Sequence, residues 1–155
     1  MANWCNNVVW FTAGEATIAQ LRELFLQMEV KEEQTGQGQL PDFITEKEDW
    51  LFYTRWEDED ALYYYTRWSP NLEQLVRIAQ HFACGFTCEY AELGNLVYGS
   101  ATYEYGNLSD VCLAPEDFDT YDYNEQTFRY TFEGEEYEMI EEILEILLER
   151  KTANQ

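Results

Sequence analysis

The chain has 155 residues and a formal charge of −22, from 31 acidic against 9 basic side chains; 46% of it is apolar and 17% aromatic. That length fits one domain with a core of its own, and that aromatic content excludes a disordered acidic tail. The charge excludes direct binding to a nucleic-acid backbone, which needs clustered Lys and Arg, and disfavours an anionic membrane surface.

The N-terminus, MANWCNNVVW, has neither a basic leader nor a long apolar run, so a signal peptide is not expected. No window approaches the roughly 20 apolar residues of a membrane span. A cytoplasmic chain with Cys5, Cys84, Cys88 and Cys112 reduced is the expectation. Residues 4–12, WCNNVVWFT, read as a strand, and Gly14 breaks it. Ile18, Leu21, Leu24, Phe25 and Met28 recur at helical spacing and predict a helix over 15–33. QTGQGQLPDF, 34–43, reads as a loop.

Residues 49–56 and 61–68 are aromatic-rich, share the tetrapeptide YTRW, and flank Glu57-Asp58-Glu59-Asp60 in a hairpin pattern. A two-residue turn at Asp58-Glu59 pairs Trp56 with Ala61 and sets Trp56 and Trp68 on opposite faces. A three-residue loop or one bulge sets them on the same face. The repeat reads as coincidence within a hairpin. Ser69 and Pro70 suit the N-cap and first position of a helix over 70–83, with Leu72, Leu75, Val76, Ala79 and Phe82 as its apolar stripe and Gly85 as a left-handed stop. Residues 86–91 and 95–105 read as strands, 106–122 as acidic turns, and 126–132 as a strand. Residues 135–151 read as a helix with Ile140, Ile143, Leu144 and Leu147 inward. Glu135, Glu136 and Glu138 would then open it and Arg150 and Lys151 close it, complementing its dipole.

Up to residue 91 the order is β-α-β-β-α-β. The fold class is therefore α+β, a ferredoxin-like antiparallel sheet with both helices on one face. The whole chain forms one domain, its core over about 3–105 and an acidic strand-and-helix extension over 106–151. Asn3, Trp4, Cys5 and Asn7, the segment GQLPDF, and Trp68, Ser69 and Pro70 before the second helix resemble the YubB-type ferredoxin-like family of phages, plasmids and bacteria. The resemblance covers residues 1–105 well. It implies the ferredoxin-like fold and a mobile-element origin, and brings no catalytic site with it.

His81, Cys84 and Cys88 form H-x2-C-x3-C, which lacks a C-x2-C knuckle and leaves the fourth zinc ligand to Cys5 or Cys112. Buried free cysteines are the simpler reading, with no metal and no cofactor. A Cys84–His81 nucleophile has nothing local to mark it. The acids at 116–122 lack the spacing of a calcium loop. Trp56, Tyr63, Tyr65 and Arg67 offer an aromatic sheet face on which bases or a small ligand would stack, without the positive field that bases need.

The remaining candidate is the acidic surface. From Glu104 to Glu149 there are 15 acids and one base, Arg129. Glu135, Glu138, Glu142, Glu145 and Glu149 at three- and four-residue steps would line one helix face as a track of charge, joined by Glu116, Asp117 and Asp119. The expected function is a non-catalytic acidic domain that binds a basic protein. Its sharpest form is a DNA mimic that blocks a host nuclease or defence enzyme. The alternative is a small-ligand binder or enzyme using an aromatic pocket on the open sheet face.

Overall fold

The computed structural model describes residues 3–155. Strand β1 (Trp4–Thr12) leads into α1 (Glu15–Thr35). A loop follows, and then β2 (Phe52–Trp56), β3 (Ala61–Arg67), α2 (Leu72–His81), β4 (Gly85–Glu92), β5 (Val97–Glu104) and β6 (Asn107–Cys112). Three short strands, β7 (Asp122–Asn124), β8 (Arg129–Phe132) and β9 (Glu135–Tyr137), precede α3 (Ile140–Ala153). The main sheet runs β2-β3-β1-β4-β5-β6 with antiparallel pairing throughout. Its first four strands have the ferredoxin-like order, and β5 and β6 extend it as a meander.

Strand alternation decides which residues face the helices. Cys5, Val9 and Phe11 of β1, Leu62 and Tyr64 of β3, and Phe86, Cys88 and Tyr90 of β4 are buried beneath Leu21, Phe25 and Met28 of α1 and Leu75 and Ile78 of α2. Phe11, Phe25 and Trp56 stack on one another with centroids 6.0–6.4 Å apart. Buried polar side chains in this layer include Asn7 and Thr66. Asn7 donates from Nδ2 to Cys5 O (3.1 Å), Tyr64 O (3.3 Å) and Thr66 Oγ1 (3.0 Å). On the far side of the chain, Leu144 of α3 packs with Leu113 and Phe118, and Tyr98 of β5 closes the contact.

The hairpin takes the three-residue alternative. Glu57 N–H donates to Ala61 O at 2.8 Å around a 3-10 turn, Asp58–Asp60, and Trp56 pairs with Leu62. A bulge between Phe52 and Arg55, where Tyr53 has φ 53°, shifts the register again so that Phe52 pairs with Tyr65. Residues 69–71 differ from expectation: α2 begins after Asn71, itself left-handed at φ 51°, and neither Ser69 nor Pro70 is its cap. Ala83, at φ 51°, makes the left-handed exit that Gly85 was expected to make. Gly85 is required for another reason, since a Cβ there would lie 2.5 Å from Tyr103 O.

The C-terminal part departs most. The acidic segment after Glu104 contains β6, whose polar outer residues hide its pairing with β5. The strand expected over 126–132 is shorter and belongs to a separate three-stranded sheet, β7-β8-β9. Glu133 and Gly134, at φ 49° and 82°, form a two-residue turn that pairs Phe132 with Glu135. Two positive φ angles in succession are the signature of a hairpin turn, not of a helix start. The last helix therefore begins at Ile140, five residues later than the periodicity predicts.

Asn7→Ala would leave two buried carbonyls and a hydroxyl without their donor. The expected loss is about 2 kcal/mol of unfolding free energy. It would be read as a lower urea midpoint at unchanged slope; an unchanged midpoint would mean that the acceptors find other donors.

Candidate functional site: an acidic surface and an aromatic groove

The expected track of five carboxylates does not exist as one line. Glu135 lies in β9. Glu138 follows it and accepts from Arg129 at 3.2 Å. Glu142 turns back to accept the Met139 N–H at 3.1 Å and caps α3. What α3 does present is Glu141, Glu145 and Glu149, all exposed and spaced four residues apart, a rise of about 6 Å per step. Glu116 and Asp119 are exposed in the 3-10 turn Pro115–Asp119. Asp117 is held inside the chain. Its carboxylate accepts from Ala114 N at 2.7 Å and from Lys151 Nζ at 2.7 Å. The Lys151 ammonium beside it, and then the Ala114 N–H, hold its carboxyl below the usual range against the opposing effect of burial.

Glu145 and Glu149 overhang the sheet. With Leu148 they roof a cleft of about 700 Å³ whose floor includes Val8, Glu89 and Tyr98. Burial, and then Glu145 opposite, raise the Glu89 carboxyl. Burial, followed by the charges of Glu145, Glu89 and Glu141, pushes the Tyr98 phenol up to about 12. No Lys or Arg is among the residues lining this cleft.

The nine basic side chains are all engaged within the chain. Arg22, Lys31, Arg55, Arg77, Arg129, Arg150 and Lys151 are in ion pairs. Lys47 donates to Pro41 O, and Arg67 lies over the rings of Trp4 and Phe52. Exposed ion pairs of this kind contribute little to stability, but they fix where the positive charge is.

The half of the second sheet face that α3 leaves uncovered is aromatic. Tyr65 and Arg67 stand there as the sequence suggests, with Tyr63 beside them under Arg55 at 5.5 Å. Trp56 does not join them, because the three-residue turn sends it to the helix side between Phe11 and Phe25. Its place is taken by Trp4, Phe52 and Tyr53, which contact one another edge to face. Strand alternation from Cys5 signals the outward Trp4. Nothing local announces the bulge that turns Phe52 outward. A groove of about 550 Å³ runs beside these rings, between β2 and the C-terminal half of α1.

His81, Cys84 and Cys88 do not converge. His81 stacks on Phe43 at 3.7 Å, Cys84 lies just beyond α2, and Cys88 is buried in β4. Burial raises the thiols of Cys5, to about 11, and of Cys84 and Cys88, which leaves them as poor nucleophiles. Among the described residues, no three His, Cys, Asp or Glu side chains gather as a metal set. Nor is any described helix long and apolar enough to cross a membrane.

A four-stranded β2-β3-β1-β4 core, two helices on one face and an added meander define an α+β ferredoxin-like domain. Residues 47–133, more than half of the chain, match the family model described as the ferredoxin-like domain in Api92-like protein, and the chain belongs to that family. No curated protein and no solved structure matches it.

The lowered pKa of Asp117 gives a pH prediction. A carboxyl depressed in the folded state contributes stability above its unfolded value, about 3.9, and loses it as pH falls through the folded value. Asp117→Asn should lower stability by about 1 kcal/mol at pH 7. As pH falls below about 4, towards the lowered folded value, the deficit should shrink. Urea unfolding at pH 7 and pH 3 measures both; an equal deficit at the two pH values would refute the ion pair as its source.

Proposed function

We propose that this chain is a non-catalytic interaction domain whose acidic surface binds a basic protein. The observation that carries this reading is the distribution of charge. All nine bases are engaged inside the chain, while Glu116, Asp119, Glu135, Glu141, Glu145 and Glu149 are exposed with no ion pair among the described residues. The net charge of −22 is therefore carried on the outside. A partner with a positive face would be steered to it and would release its own counterions on docking.

In its sharpest form the surface imitates DNA in the channel of a host nuclease, restriction enzyme or CRISPR effector. The YubB-type resemblance at Asn3–Asn7 and Trp68–Pro70, with the phage or plasmid origin it implies, supports that form. Cys5, Cys84, Cys88 and Cys112 are all free, which supports a reducing cytoplasm as the setting.

A second reading, a small-ligand pocket, is favoured by the rings of Trp4, Phe52 and Tyr53 exposed beside a groove. The two readings use different faces and do not exclude each other.

Affinity for a basic partner recovered from a bacterial lysate should fall steeply between low and high salt. Replacing Glu141, Glu145 and Glu149 together with Gln should weaken binding about tenfold or more while leaving the circular-dichroism spectrum unchanged and the melting temperature no lower. Binding that ignores salt, or that ignores the triple replacement, would refute the acidic surface as the docking site.

A further inference from the structure

We propose that the groove between α1 and β2 binds a quaternary alkylammonium cation of choline size. This names a ligand for the small-ligand reading and rests on it. Trp4 and Tyr53 stand at 73° with centroids 5.8 Å apart, so the two rings form a corner rather than a stack. Both are wet, Tyr53 at 59% exposure and Trp4 at 37%. Ring faces attract cations electrostatically, and weakly hydrated quaternary ammonium groups are the ligands such corners take best. The cluster already behaves this way within the chain, because the Arg67 guanidinium carbon lies 4.9 Å from the Phe52 centroid and 5.9 Å from that of Trp4.

The exposure of Tyr53 is built rather than incidental. Its φ of 53° is a left-handed conformation that a tyrosine adopts only under constraint. The constraint is visible in Glu32, whose carboxylate accepts the N–H groups of Tyr53 (2.9 Å) and Thr54 (3.3 Å). The α1 helix thus holds the bulge that turns this ring outward.

Charge decides the sign of the ligand. Glu29, Glu32 and Glu33 line the α1 wall against Arg55 and Arg67. Three carboxylates face two guanidinium groups, one of them, Arg55, already paired with Glu57 at 3.6 Å, so the groove is net negative. A phosphate or a nucleotide is repelled there. A primary ammonium would have to give up strong hydration at a wall where one of the three carboxylates, Glu32, already accepts two backbone donors. The volume suits a small molecule.

The test is isothermal titration calorimetry on the full chain with choline chloride, and with 3,3-dimethylbutanol as a neutral probe of the same shape. Choline should bind at one saturable site and dimethylbutanol should not. Tyr53→Phe should keep the affinity, and Tyr53→Ala should lower it about tenfold. Glu29→Gln keeps every ring in place and should weaken choline a few-fold, which guards against a Tyr53→Ala variant that misfolds. Equal binding of both probes would overturn the cation while keeping a small-ligand pocket. No saturable choline binding, or full affinity in folded Tyr53→Ala, would overturn the site.

Discussion

Strand β1 is hydrogen-bonded on both sides, and the rest of the sheet depends on that. Its residues pair with β3 from Trp4–Arg67 to Trp10–Ala61 and with β4 from Asn6–Ala91 to Thr12–Gly85. Without it, β2–β3 and β4–β5–β6 would be two ribbons with no edge in common. The family match spans both ribbons and α2 but begins after β1 and α1, so the strand that joins the matched segment into one sheet comes from outside it. Asn7 is what locks this strand in register. Its side chain reaches Tyr64 O and Thr66 Oγ1 across the pair, Thr66 in turn donates to Ser69 O, and Asn3 O accepts Trp68 N–H at 2.9 Å. These are largely the residues on which the sequence resemblance rests. Their shared position explains why the motif is specific and yet brings no chemistry: it is a clasp between strands.

The second face of the sheet is divided by how far the chain reaches. Helix α3 packs through Leu144 onto Leu113 and Phe118 and overhangs β4 and β5, and it stops there. Among the described residues, the β3-β2 part is covered by its own aromatic and arginine side chains. An edge strand in that position invites pairing with another chain. Here β2 is blunted by its bulge and by Glu32, which takes two of its backbone donors. The same carboxylate that protects the edge also poses Tyr53. One device therefore serves both solubility and the presentation of an aromatic corner.

How much of this was legible in the sequence follows the strength of each local signal. Residues 4–12 and the stripe Leu21, Phe25, Met28 carry strong periodicity, and β1 and α1 fall where it predicts. The β-α-β-β-α-β order follows from such signals alone. The parity of the YTRW hairpin turned on a single residue in the loop, and three positive φ angles near it, at Tyr53, Glu59 and Asp60, are conformations that side-chain type does not announce. That is why Trp56 was expected with Tyr63 and Tyr65 and Trp4 was not. Strand β6 was hidden because five of the six residues of NLSDVC are exposed, so it pairs with β5 without a buried face of its own. In the acidic segment, Glu135 and Glu138 match helical spacing by accident. What decides is Glu133-Gly134, a hairpin turn directly before the residues read as a helix over 135–151.

The acidity itself is not what folds this domain. Self-repulsion at a charge of −22 disfavours the compact state. The last turn of α1 carries no base, and the acidic Glu32 and Glu33 lie near the helix end, where the macrodipole favours a cation. Glu89 and Glu145 face each other across the α3 cleft with no Lys or Arg in its lining, and burial first, then this repulsion, raises the pKa of Glu89. Some carboxylates do stabilise the fold, among them Asp117 on Lys151, Glu32 on the bulge and Glu142 on the Met139 N–H, each satisfied by specific donors. Glu141, Glu145 and Glu149 on α3 have no such donors among the described residues. Their repulsion is opposed by burial of Leu144, Phe118 and Leu113 beneath them, which holds like charges together on one face. A surface maintained against its own electrostatics has its natural complement in a cation from outside the chain.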